Sequence, residues 1–221
     1  MLLTLLPYLI VLISIAVITY AWNCLPAGWL RWYFVGAFLF MAAYKIYDPA
    51  SDARGLLWGR HLFAYIGEIL FFAFLTVLSK RYVEIDDAPQ KPRSTVLQQN
   101  IVVLMPLLFF SSGISWYQLA TDQGLPHILT LPVFVMVMSL TRLRLAVYES
   151  IYIRVATLFT VAIGAWIMIH VSEFMVESQK FIPGLEDYMP YIEFFWFAVG
   201  AGLFCYALMT FKRIHHDATT V

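Results

Sequence analysis

Residues 1–22 read MLLTLLPYLIVLISIAVITYAW, and this stretch sets how the rest of the chain is understood. A helix needs about 20 consecutive, mostly apolar residues to cross the hydrocarbon core of a bilayer. The stretch has them. It lacks the basic start and the small-residue cleavage site of a secretory signal, so it reads as a first spanning helix. Working outward, the apolar runs fall at 3–22, 29–47, 56–79, 99–119, 125–141, 150–174 and 190–211. The fifth is short and contains Pro132.

Composition agrees with lipid as the solvent. Of 221 residues, 62% are hydrophobic and 13% charged, whereas a soluble domain has about half apolar and a quarter charged residues. Such a chain is too apolar and too aromatic to be disordered. Its net charge is zero, so no bulk attraction to nucleic acid is implied. Cys24 and Cys205 are too few for a disulfide framework, and no CxxC or CxxCH occurs. The expected fold is an all-α integral membrane protein, one domain over 1–221 built as a bundle of seven transmembrane helices.

Basic residues give the orientation. With the N-terminus outside, ten lie at the cytoplasmic side: Arg31, Lys80, Arg81, Lys91, Arg93, Arg142, Arg144, Arg154, Lys212 and Arg213. Only four, Lys45, Arg54, Arg60 and Lys180, lie outside. This is the positive-inside pattern, and it sets the C-terminus in the cytoplasm. Trp29, Trp32, Trp58, Trp116 and Tyr117 fall near helix ends, where amphipathic rings anchor at the interface. The segment 80–98, KRYVEIDDAPQKPRSTVLQ, reads as a cytoplasmic connector.

Chain direction then gathers polar residues at the outer end. His61, His127 and His170 all fall near outer helix ends, while His215 and His216 lie in the cytoplasmic tail and read as solvated. Glu173 follows His170 by three positions and shares its helical face. Glu68 lies seven positions after His61, on the same face and about 10 Å deeper. Glu193 enters from the seventh helix. Imidazoles with carboxylates suit a transition metal, and two histidines on different helices suit an axially ligated haem b. The metal or haem candidates are therefore His61, His170, Glu173, Glu193, Glu68 and His127. A hydrogen-bonded network without any ion is the simpler alternative. At the inner face, Glu149 and Arg154 are expected to form a structural ion pair. Gly200 and Gly202 are expected to let another helix approach closely.

Several activities lack their residues. No lysine precedes Lys212 on the last helix for a retinal Schiff base, and no GxSxG or Walker-type loop exists. A small transporter would be expected to show matched broken helices. Pro106 and Pro132 break two helices in sequences unlike each other.

The runs FVGAFLFMAAYKIYD (34–48) and LLWGRHLFAYIGEILFFAFLTVLSKRYVE (56–84) resemble the second and third helices of the seven-transmembrane N-terminal sensor region of bacterial histidine kinases. The run FIPGLEDYMPYIEFFWFAVGAGLFCYALMTFKRI (181–214) resembles the last outer loop and helix of that region. The resemblance covers under half the chain and carries no fixed ligand residues. It implies a bacterial inner (plasma) membrane and a sensor-like or accessory subunit. No kinase precedes Val221 in the sequence, so it also implies signalling through a protein partner in the membrane or cytoplasm. The expected function is non-catalytic, with an outer-facing polar pocket. A haem- or metal-binding subunit of a redox complex is the alternative, and a small transporter a third.

Overall fold

The computed structural model describes residues 5–52, 57–81, 90–121, 125–173, 175–176 and 184–220. Among these are seven α-helices: α1 (Leu6–Cys24), α2 (Trp29–Asp52), α3 (Leu57–Arg81), α4 (Arg93–Thr121), α5 (Leu125–Val147), α6 (Ile153–Glu173) and α7 (Met189–Thr219). A short 3-10 turn, Glu186–Tyr188, leads into the last. The described residues form helices and turns, with no strand among them. Three helical stretches, Leu6–Cys24, Ile153–Ser172 and Met189–Thr219, are long and apolar enough to cross a membrane. A fourth qualifies if the two bent halves of α4 are counted together. The halves, Arg93–Gln99 and Leu104–Trp116, meet at 61°. Pro106 explains the bend: it has no N–H for the carbonyl of Val102, and its ring crowds that carbonyl.

The helices outrun the apolar stretches at several ends. α4 begins at Arg93 rather than near 99, because Pro92 ends the connector and its carbonyl accepts from the amides of Thr95 and Val96. Only part of the segment 80–98 is therefore a loop, and residues 82–89 lie outside the described ones. α5 runs on to Val147, with Arg144 in its last turn facing the negative end of the helix dipole. α7 continues through KRIHHDAT. His215 helps hold that extension: its ring stacks on Phe211 at 5.6 Å and its Nδ1 lies 3.3 Å from the Tyr152 hydroxyl. The reading of His215 as merely solvated is corrected by these contacts.

Packing follows a closed circuit: α1 on α2, α2 on α3, α3 on α5, α5 on α6, α6 on α7, and α7 back on α1. α4 lies outside the circuit, against α5 and α6. Its outward residues Val102, Phe109 and Trp116 are 71–76% exposed. At the centre, Phe34, Phe38, Phe74, Phe159 and Phe204 are fully buried. Phe204 of α7 meets rings from three other helices, α2, α3 and α6. Its ring centre lies 5.5 Å from Phe38, 5.4 Å from Phe71, 5.7 Å from Phe159 and 4.8 Å from Trp166. If lipid surrounds the helices, burying these rings gains little by transfer, and the close ring contacts themselves supply the cohesion. Several buried hydroxyls are returned to their own helix, as when Ser14 donates to the Ile10 carbonyl and Thr160 to that of Ala156.

Gly200 performs the expected task and Gly202 does not. A Cβ on Gly200 would fall 2.6 Å from both Cδ1 and Nε1 of Trp166, whereas one on Gly202 would meet nothing within 4 Å. The two are 200° apart around a helix, so only one of them can face α6.

The ion pair expected between Glu149 and Arg154 is replaced by another. Glu149 pairs with Lys91 at 3.2 Å, and Arg154 reaches the Tyr206 hydroxyl at 3.5 Å. The cause is the turn that ends α5. Glu149 has φ 50°; the Ser150 amide donates to the Leu145 carbonyl at 2.9 Å and the Glu149 amide to that of Ala146 at 3.2 Å. This left-handed helix ending is one usually made by glycine, and it places Glu149 beside the strand of chain that enters α4. The Lys91 amide donates to the Val147 carbonyl there.

Candidate functional site

A cavity of about 170 Å³ opens among α2, α3, α5, α6 and α7. Its walls carry Glu68 from α3, His170 from α6 and Glu193 from α7, with Tyr44 from α2. Its floor is formed by the rings of Phe71, Phe134, Trp166 and Phe197. The arrangement follows from simple spacing. Glu68 lies three residues before Phe71, Glu193 four before Phe197, and His170 four after Trp166. Residues three or four apart share a helical face. In α3 and α7 the polar residue comes first, and in α6 it comes last. α6 runs opposite to α7, to which it is joined and against which it packs. The polar groups therefore form one layer above the aromatic centre.

The site's glycines bring the helices close. A Cβ on Gly67, beside Glu68, would lie 3.1 Å from the Ala37 carbonyl oxygen of α2. Gly200 plays the same part between α7 and Trp166. The Trp166 indole stacks on Phe197 at 6.0 Å and 9°. Its Nε1 is buried without a hydrogen-bond partner among the described residues, held edge-on toward α7. One carboxylate oxygen of Glu68 is likewise shielded from solvent.

Of the residues chosen from sequence, the structure thus brings Glu68, His170 and Glu193 to one cavity. The side chains of His61, His127 and Glu173 lie outside the described residues. Among the described residues, no group of three His, Cys, Asp or Glu side chains is placed to hold a metal ion. What the cavity offers is two carboxylates and an imidazole over aromatic faces. Such a lining accepts hydrogen bonds and attracts positive charge. Sequence reasoning missed Tyr44, Trp166 and the ring floor. The available signal was an aromatic residue one turn from each polar one.

No protein-family model matches the chain, and comparison with curated proteins and with solved structures finds no match either.

Proposed function

We propose that the chain is a seven-span membrane protein, N-terminus outside, that offers this cavity to a small ligand at the outer side and passes occupancy to a partner protein. It acts as a sensor-like or accessory subunit in a bacterial inner membrane and has no catalytic step of its own. The convergence of Glu68, His170 and Glu193 on one cavity carries this reading. The span count is supported by helix length: α2, α3 and α5 have 24, 25 and 23 residues, against about 20 needed. It is supported too by exposed apolar side chains such as Tyr8, Leu12, Phe109 and Trp116, a poor surface for water and a normal one for lipid. The ten-to-four basic bias supports the orientation. The resemblance to kinase sensor regions supports the signalling role.

The ligand class follows from the lining. Carboxylates beside ring faces favour a small organic cation, which gains both hydrogen bonds and cation–π attraction. A volume near 170 Å³ is comparable with cavities of about 150 Å³ that hold benzene. The test is thermal unfolding of the detergent-purified protein with small alkylammonium ions, isosteric alcohols and carboxylates at matched millimolar concentrations. The ammonium compounds should raise the melting temperature, and Glu68→Gln and Glu193→Gln should each abolish the rise. No shift with any ammonium ion, or a shift that survives both substitutions, would overturn the proposal.

A further inference from the structure

A second recess lies farther along two of these helices, α3 and α5, about 16 Å from the level of Glu68, since Ser79 is eleven residues further on. It has a volume of about 200 Å³ and is formed between α3 and α5 by Ser79, Lys80, Thr141 and Arg144, with Val137 and Leu140 on one wall. Two cations from the ends of two helices thus meet in one recess. Neither side chain has an ion pair or hydrogen bond among the described residues.

The hydroxyls are the second observation. Ser79 is 7% exposed and Thr141 3% exposed. Thr76, one turn before Lys80, donates back to the Phe72 carbonyl at 2.9 Å, and Ser139 does the same to Val135 at 2.7 Å. Ser79 and Thr141 do neither, and have no hydrogen-bond partner among the described residues. Two hydroxyls on largely buried residues therefore stand without a partner among the described residues, on the wall of a recess that also holds two positive charges. A tetrahedral oxyanion would satisfy both hydroxyls and both cations.

The flank beside the recess distinguishes which oxyanion. Val133, Met136 and Leu140 on α5 are exposed and recur at spacings of three and four, ending at exposed Arg144. An apolar stripe that ends at a cation is the imprint of an amphiphile. Basic recesses between helices at the cytoplasmic side of a membrane take anionic headgroups. We propose that the α3–α5 recess binds the phosphodiester of an anionic phospholipid, with an acyl chain along Val133, Met136 and Leu140. The proposal rests on the reading that these helices cross a bilayer, and is independent of what fills the cavity at Glu68.

The experiment titrates dioleoylphosphatidylglycerol into the detergent-purified full chain and reads lipid retention by native mass spectrometry and melting temperature. Dioleoylphosphatidylcholine and inorganic phosphate are the comparison arms. Phosphatidylglycerol should be retained and raise the melting temperature, phosphatidylcholine should do so weakly, and phosphate should have no effect. Lys80→Gln with Arg144→Gln should weaken phosphatidylglycerol binding roughly 30-fold, two juxtamembrane charges being removed. Ser79→Ala with Thr141→Val should weaken it while leaving phosphatidylcholine retention unchanged. Lys212→Gln, a basic residue outside the recess, should not alter it. Equal retention of both lipids, or unchanged affinity in the Lys80/Arg144 variant, would overturn the proposal. An equal response to inorganic phosphate would overturn the lipid assignment. Melting of each variant without added lipid confirms that it is folded.

Discussion

Replacing Gly200 by alanine adds one methyl group, and the structure places it 2.6 Å from two atoms of the Trp166 indole. Ordinary carbon–carbon contact is about 3.5–4.0 Å, so the indole or the helix must give way by about 1 Å. The indole is poorly placed to do so. Phe38, Phe197 and Phe204 hold it at ring-centre distances of 5.6, 6.0 and 4.8 Å. Overpacking of this kind costs about 1–3 kcal/mol. Against it stands the gain of about 1 kcal/mol from glycine to alanine inside a helix. Gly202→Ala receives only the gain, because its added methyl meets nothing within 4 Å. The two variants should therefore differ by about 1–3 kcal/mol. For a chain of this length that is a separation of roughly 5 °C, with Gly200→Ala the lower. The assay is thermal unfolding in one detergent, followed by tryptophan fluorescence. Trp166→Phe in the Gly200→Ala background should recover part of the loss, since phenylalanine lacks the indole edge that is struck. A Gly200→Ala protein that melts at or above Gly202→Ala would refute the packing of α6 on α7 described above.

Other consequences are as direct. Phe204→Ala empties the point where rings of four helices meet and should cost about 3–5 kcal/mol; a loss under about 1 kcal/mol, read by unfolding, would move the core elsewhere. Glu149 sits at φ 50°, so Glu149→Gly should be more stable than Glu149→Ala by about 1 kcal/mol, both having lost the Lys91 pair; equal stability would deny the left-handed ending of α5. His215→Ala removes the ring stacked on Phe211 and the contact to Tyr152. Amide hydrogen exchange at 212–219 should then quicken, while exchange at 195–208 stays unchanged.

The polar site was partly legible in the sequence because consecutive helices joined by short connections run in opposite directions, which puts the end of α6 beside the start of α7. That reasoning put His170 and Glu193 at one level, and they do line one cavity. Rotation about each helix axis was harder to read. Gly200 and Gly202 look alike in sequence, yet only the neighbour that packs there decides which one is needed. Helix ends were misjudged where hydropathy stops but hydrogen bonding continues, as at Arg144 and His215. The partner of Glu149 was missed because a residue with φ above zero, here a non-glycine, redirects the chain in a way that no apolar pattern announces.

The proposed arrangement sets a polar cavity at Glu193 facing the outer side, on helices that cross the membrane. It is tested most directly by Glu193→Cys in a background with Cys24 and Cys205 replaced by alanine, reconstituted in cells and treated with a membrane-impermeant cationic thiosulfonate. A second protein carrying Lys80→Cys serves as the opposite face. Position 193 should react from outside and position 80 only after the inner face is opened to the reagent. Labelling at 80 from outside, or none at 193, would contradict the account.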